Sequence, residues 1–382
     1  MNILINEQNE AIRQKVREFA ENKIKPVILE YDEKEEFPVE LIKEMGKLDI
    51  FGMHVPKEYG GQGTDYLSYI IAVEELARVD GSIAATLAAH NSLGAGPILE
   101  FGTEAQKQKY LPQFCTGEAL WALGLTEKNA GSDAYGVETT AQLKAGKWIV
   151  NGSKLYITNG SSEIAKGITA AAITGTRSDG KKEISAILID KDAPGYTRET
   201  MRGKLIWRAA DNADIRFENV EVPEENLLGE RGKGISIMLK TIDSGRLSIA
   251  AMGLGCAQGA YEMALEYSKK RKQFGKAINQ FQSISFKLAD MALKIENARN
   301  TLYNACWLKD NGHNFSKQAA MAKLYCSEIA REVTDEAIQV FGAPGLLREN
   351  HIERFYRDQR LLQIGEGTSE ILRMVIARNI LD

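Results

Sequence analysis

Residues 363–373 read Gln363-Ile364-Gly365-Glu366-Gly367-Thr368-Ser369-Glu370-Ile371-Leu372-Arg373, and the rest of the chain is organised around them. A carboxylate stands between two glycines, directly before two hydroxyl residues, and either Thr368 or Ser369 suits the N-cap of a following helix. Leu372, Val375, Ile376 and Ile380 recur at helical spacing, which predicts a helix beginning near Glu370. Glycines on both sides let the backbone turn sharply and let a ligand come close to the acid. On spacing alone the ordinary reading is an acidic residue near a helix start, favoured by the helix dipole.

Working outward, the 382 residues suffice for two or three domains with a sizeable core. A hydrophobic content of 44% and a charged content of 26% suit a soluble globular protein. The formal net charge of −4 and the scattered Lys and Arg give no footprint for nucleic acid. No apolar run has the length of a membrane span, and the start Met1-Asn2-Ile3-Leu4-Ile5-Asn6 lacks the features of a signal peptide. Cys115, Cys256, Cys306 and Cys326 show no CxxC spacing and the four histidines are dispersed, so no metal signature arises. Free, mostly buried thiols in a reducing cytoplasm are expected.

Three regions follow from the change of hydrophobic period: 1–117 helical, 118–230 β, and 231–382 a helical bundle. In the first, Ile12, Val16, Phe19 and Ala20 mark one helix face that Pro26 bends or ends. Helices are expected over Tyr69–Ala77, Ile83–Leu99 and Thr103–Leu111. His90, alone on the second, reads as a packed histidine rather than a ligand. From about Gly117 the apolar residues come in short runs, with Asn151-Gly152 and Asn159-Gly160 as expected turns. Long helical stretches over 235–270, 280–311 and 315–341 complete the chain.

Four further stretches offer chemistry. Leu125-Thr126-Glu127-Lys128-Asn129-Ala130-Gly131-Ser132-Asp133 supplies hydroxyls and backbone N–H groups in a small-residue loop that suits a polar ring edge or a phosphate. In Lys154-Leu155-Tyr156-Ile157-Thr158, strand alternation puts Tyr156 and Thr158 on one face, a surface for a flat heterocycle or ordinary β packing. Asp243 and Arg246 share a helix face and suit an ion pair with each other. Arg271-Lys272-Gln273-Phe274-Gly275-Lys276 reads as a basic helix end. Gly253-Leu254-Gly255-Cys256-Ala257-Gln258-Gly259 has the wrong spacing for a dinucleotide fingerprint and lies in a helical pattern, which argues against a nicotinamide enzyme.

Gly-Glu-Gly-Thr-Ser-Glu-Ile, preceded by Arg357-Asp358 and followed by Arg373, resembles the C-terminal signature of the flavin-dependent acyl-CoA dehydrogenases. The order of helices, β domain and helices resembles that family from end to end. The resemblance implies an α+β fold with an N-terminal helical domain, a middle β-barrel-like domain and a C-terminal four-helix bundle. It implies that Glu366 takes the α-proton of an acyl-CoA thioester while the β-hydrogen leaves as hydride to flavin N5, or that the reverse enoyl-CoA reduction runs. Some branches carry their glutamate at the place of Gly245, which leaves Glu366 as the candidate base here.

The resemblance also assigns FAD contacts to Leu125, Thr126, Ser132, Tyr156, Thr158 and Thr368. It places Arg271, Phe274, Gln282, Gln339 and Gly342 at the FAD of a neighbouring subunit or its further turn. Ser132, Asp243, Arg246 and Gly367 are implied on the substrate side. A homotetramer, a dimer of dimers exchanging electrons with an electron-transfer flavoprotein, is the implied assembly. Two departures bear on the acyl group. Gly365 replaces a frequent tyrosine, and Gly94-Ala95 replaces larger residues on a pocket helix. Smaller residues at both places make room for a branched, cyclic or aryl group, unless Ile206 and Trp207 refill the space.

Overall fold

The computed structural model describes residues 4–381. Its first region holds α1 (Glu7–Phe19), α2 (Ile28–Lys34), α3 (Val39–Gly46), α4 (Tyr66–Ala77), α5 (Gly81–Ala88), α6 (Gly96–Phe101) and α7 (Glu104–Phe114). Local chemistry sets several boundaries. Asn6 and Asn9 exchange side-chain and backbone hydrogen bonds at 2.8 and 3.0 Å to open α1, and Asp65 and Asp80 cap α4 and α5. α1 runs on into a π-helical turn, Ala20–Ile24, that stops short of Pro26. The helix expected over 83–99 is instead interrupted, because a π-helical turn at Ala89–Ala95 separates α5 from α6. His90 packs as expected. Its Nε2 donates to Phe114 O at 2.9 Å and its Nδ1 accepts from Trp121 N at 3.1 Å, which defines the neutral tautomer.

The middle region is a mixed sheet of β1 (Leu120–Gly124), β2 (Thr140–Lys144), β3 (Lys147–Thr158), β4 (Ala165–Thr176), β5 (Lys182–Asp190), β6 (Tyr196–Thr200), β7 (Asn212–Pro223) and β8 (Leu227–Leu228). The strand order is β6-β7-β3-β2-β4-β5-β8, with β1 parallel to β4. Alternate residues of β3, β4, β5 and β7, among them Trp148, Val150, Ile168, Ile187, Ile215 and Phe217, form a core of their own. The opposite face, with Ala171, Ile184, Ala186 and Leu188, packs on α7 and the start of the bundle. One turn expectation is corrected. Asn151-Gly152 lies inside β3, where a register shift opposite β7 brings Gly152, at φ 144°, against Thr139. The β2–β3 hairpin turns at Ala145-Gly146, both with positive φ.

The third region holds α8 (Gly234–Lys270), the short hairpin β9 (Lys272–Gln273) and β10 (Lys276–Ala277), α9 (Gln282–Asp310), α10 (Ser316–Phe341), α11 (Ile352–Asp358) and α12 (Ser369–Leu381). α8 is its axis, packed against α4, α9 and α10. The glycines that broke no helix in the sequence reading are contact points. A Cβ on Gly255 would lie 2.2 Å from Glu74 O, one on Gly259 2.1 Å from Arg78 O, and one on Gly253 2.8 Å from Cys326 O. All four cysteines are free; Cys256, Cys306 and Cys326 are buried and Cys115 half-buried. Among the described residues no helix is long and apolar enough to cross a membrane.

Where α1, α4 and α9 meet, the fold buries charge. Glu74 lies 3.1 Å from Arg299 and 3.5 Å from Arg13, and accepts from Tyr303 Oη. Burial pushes its pKa up, but Arg299 and Arg13 outweigh burial and hold it below the ordinary carboxylate value. Glu74→Ala would leave Arg299 with only the longer pair to Glu296 and the Gln258 amide, while Arg13 keeps Glu75, and chemical denaturation is expected to register a loss of about 3 kcal/mol. Lys34→Ala, which breaks only the exposed pair with Glu30, is expected to leave the unfolding midpoint in place.

Candidate active site

The turn that carries Glu366 sits between α11 and α12. Thr368, not Ser369, caps α12: its Oγ1 accepts from Ile371 N at 3.3 Å, while Ser369 Oγ donates to Glu328 at 2.8 Å. α12 starts at Ser369, one residue from the expected position. Glu366 and Gly367 have φ of 54° and 100°, two consecutive left-handed residues that swing the acid back onto α8. There Gly245 admits it, since a Cβ at that position would stand 2.1 Å from Glu366 Oε2 and 2.9 Å from the Leu93 side chain. The sequence contrast between positions 245 and 366 thus has a spatial counterpart. The carboxylate occupies the room that any side chain at 245 would need.

Glu366 Oε2 is buried with no hydrogen-bond partner. Burial raises the pKa of the acid to about 7, against the lowering effect of Lys323 and Arg246. Glu366 N–H has no acceptor among the described residues. Asp243 and Arg246 pair with each other, and Arg246 Nε, also buried, has no partner. Tyr66 Oη donates to Ser244 O at 3.0 Å and Tyr69 Oη to Ala88 O at 2.8 Å. Their rings meet His54 edge-on and tilted, which makes an aromatic wall on the α4 side.

A second set of residues gathers at the end of β3. Tyr156 is 63% exposed, beside buried Ile157 and half-buried Thr158, but at φ 61° it lies where the β3–β7 register shifts between Lys154 and Ile157, so the regular alternation expected to align it with Thr158 is interrupted. Leu155 N donates to Thr126 O at 3.0 Å, which ties the Leu125–Thr126 loop to the strand just before Tyr156. Beneath that loop Lys154, fully buried, donates to Glu127 at 2.6 Å and Ala171 O at 2.7 Å, and Glu127 accepts from Glu138 N at 2.6 Å. Ser132 is exposed, and a Cβ on the preceding Gly131 would meet nothing within 4 Å. Asn159 Nδ2 donates to Thr86 O at 3.0 Å. This joins the end of β3 to the helical run that delivers Leu93 to Gly245.

An exposed aromatic face, an open small-residue loop and a carboxyl oxygen without a partner suit a flat polar cofactor with a phosphate tail beside an acyl substrate. The other predicted contacts lie elsewhere. Arg271, Phe274, Gln282, Gln339 and Gly342 are exposed on the β9–β10 hairpin, at the start of α9 and at the end of α10. Phe274 is 93% exposed with φ 51°, its ring edge-on to Phe281. Among the described residues no hydrogen bond, ion pair or ring contact joins this group to Thr126, Tyr156 or Glu366.

The residues named for an enlarged acyl pocket have different surroundings. A Cβ on Gly94 would lie 2.3 Å from Trp121 O, so this glycine serves contact with β1, and Ala95 is buried in the same cluster. Trp207 is buried against Gly81, and its backbone N–H donates to Asp358 Oδ1 at 2.8 Å. Only Gly365 has room, its nearest neighbour being Leu361 at 3.7 Å. Sequence reasoning missed Lys323, Lys154 and the Tyr66–Tyr69 wall. Lys323 left a signal: with Ala319, Cys326, Ala330, Val333 and Ala337 it lies on the buried stripe of α10.

Comparison with known proteins agrees with this geometry along the whole chain. Residues 6–118, 122–220 and 232–381 match, in order, the N-terminal, middle and C-terminal domains of acyl-CoA dehydrogenase. The short-chain-specific acyl-CoA dehydrogenase of Clostridium acetobutylicum is 45% identical over 380 residues, covering 100% of both chains. The caffeyl-CoA reductase–Etf complex subunit CarC of Acetobacterium woodii is 44% identical over 98% of this chain and 99% of its own. The butyryl-CoA dehydrogenase structure from Megasphaera elsdenii superposes with a TM-score of 0.96 at 42% identity, covering 100% of each chain. With a carboxylate folded onto a glycine of α8, a matching fold and three family domains in sequence, the chain belongs to the acyl-CoA dehydrogenase family.

Proposed function

We propose that this enzyme carries out the FAD-dependent α,β-dehydrogenation of an acyl-CoA thioester, or its reverse, with Glu366 as the base. The observation that carries the reading is the buried, unpartnered Oε2 of Glu366 against Gly245. Oε2 takes the α-proton, and the α-carbon keeps the electron pair of that C–H bond as the enolate develops. Glu366 N–H, which has no acceptor of its own, is the donor to the thioester oxygen. When bound, FAD supplies the acceptor for the β-hydrogen and its electron pair. Arg246 and Asp243 lie on the substrate side, and the Tyr66–Tyr69 wall excludes water from the carboxylate. In the reverse direction Glu366 returns its proton to the α-carbon.

Thr126, Tyr156, Thr158, Leu125, Ser132 and Thr368 would hold the cofactor within the protomer. The exposed Arg271, Phe274, Gln282, Gln339 and Gly342 would reach the cofactor of a neighbouring copy, within a homotetramer. An electron-transfer flavoprotein would take or return the electrons, and the cytoplasm is the expected compartment. A short acyl chain is favoured, because the relatives above include short-chain and butyryl-CoA enzymes; a larger aryl group is the second reading, favoured by the room at Gly365 and by the caffeyl-CoA reductase relative.

Glu366→Gln is expected to retain FAD yet slow anaerobic bleaching by butanoyl-CoA about 1,000-fold or more. In the wild type, kcat/KM is expected to rise with pH through about 7, where the buried acid becomes a carboxylate, and to be flat above it. A profile with no limb between pH 6 and 8 would remove Glu366 from this role. Lys154→Met should loosen the Thr126 loop by breaking a charged hydrogen bond, and weaken FAD binding about tenfold or more in equilibrium dialysis. Between butanoyl-CoA and phenylpropanoyl-CoA, butanoyl-CoA should bleach the flavin faster; the opposite order would favour the enlarged pocket.

A further inference from the structure

Lys323 is fully buried in the middle of α10. Its Nζ donates to Gly367 O at 2.6 Å, and no carboxylate lies within ion-pair distance of it among the described residues. Burying an ammonium without a touching partner is costly, so the surroundings must compensate it. The carbonyl it holds belongs to the residue directly after the base. Arg246 Nη2 lies 3.7 Å from where a Cβ on Gly367 would stand. Two buried cations therefore flank this one residue of the turn, of which only Arg246 has a carboxylate partner, Asp243.

We infer that Lys323 is the positioning residue for the base: its ammonium clamps the Gly367 carbonyl, holds Glu366 in its left-handed turn and supplies the positive charge that keeps the acid ionisable. Left-handed backbone at a non-glycine residue is disfavoured, and a charged hydrogen bond at the adjacent carbonyl offsets that strain. Glu366 in turn is the largest influence keeping Lys323 protonated, against a burial that lowers the lysine to about 8. The other charged groups facing the pair are Arg246 and Asp243 from α8, Glu328 from α10 and Glu370 from α12. From α4, Tyr66 and Tyr69 face Glu366 and are themselves held protonated by burial, so they contribute no charge. The inference rests on Glu366 being the base.

The test is an infrared pH titration of the FAD-loaded protein without substrate, following the protonated-carboxyl band that Glu366→Gln abolishes. The wild-type band should titrate near pH 7. Lys323→Met removes both charge and donor, whereas Lys323→Gln keeps a donor for Gly367 O without the charge. In both, the midpoint should rise by about one pH unit or more, and Lys323→Arg should bring it back. The alkaline shift should recur in the pH profile of kcat/KM. A midpoint unchanged in the Met and Gln variants, or an Arg variant that titrates like Met, overturns the inference. Should Lys323→Met fail to fold, the Gln variant carries the comparison. A wild type reduced by no acyl-CoA and oxidised by no enoyl-CoA would sink the dehydrogenase reading and leave the infrared result standing, so the two can fail separately.

Discussion

The structure depends on how closely other segments approach the backbone of α8. Five glycines along this helix have no room for a methyl group. Gly234 faces the backbone of Ser185 on β5, Gly255 and Gly259 face carbonyls of α4 and the turn after it, Gly253 faces α10, and Gly245 faces the carboxylate of Glu366. Close-packed interiors concede little, so a side chain at Gly253, Gly255 or Gly259 would push whole helices apart rather than deform one contact. The same feature that packs the bundle therefore sets the depth at which the base turn can lie. Stability and site geometry share one surface.

That depth has an electrostatic consequence. A carboxylate buried beside an aromatic wall loses hydration, which raises its pKa and makes it a stronger base once ionised. Burial carried further would leave the acid neutral and inert. The buried cations on α8 and α10 pull in the opposite direction, and the balance falls near neutrality. A surface acid would not achieve this, because water and salt would screen both effects.

Much of this was legible in the residues. The helical spacing after Glu370, a hydroxyl cap at its start and the long bundle helices follow local rules of period and capping, which depend on near neighbours. What was not legible depends on contacts between distant segments. Asn151-Gly152 has the composition of a turn, yet Gly152 answers to Thr139 across the sheet. Gly94 looks like a vacancy until the backbone of Trp121 is found against it. Lys323 lies on an otherwise apolar stripe, a visible anomaly, but its partner is a main-chain carbonyl 44 residues away and no side-chain pattern could name it.

The pairing of Gly245 with Glu366 also bears on how such a site can change over time. A side chain at 245 and the carboxylate of residue 366, as it lies here, claim the same volume. The atoms that a Cβ at 245 would meet first are the carboxyl end of Glu366 and the tip of Leu93, both movable, rather than main chain. A residue gained at 245 would therefore turn the acid out of its seat while leaving the helix packing in place, so the site is more exposed to a single change than the fold that carries it.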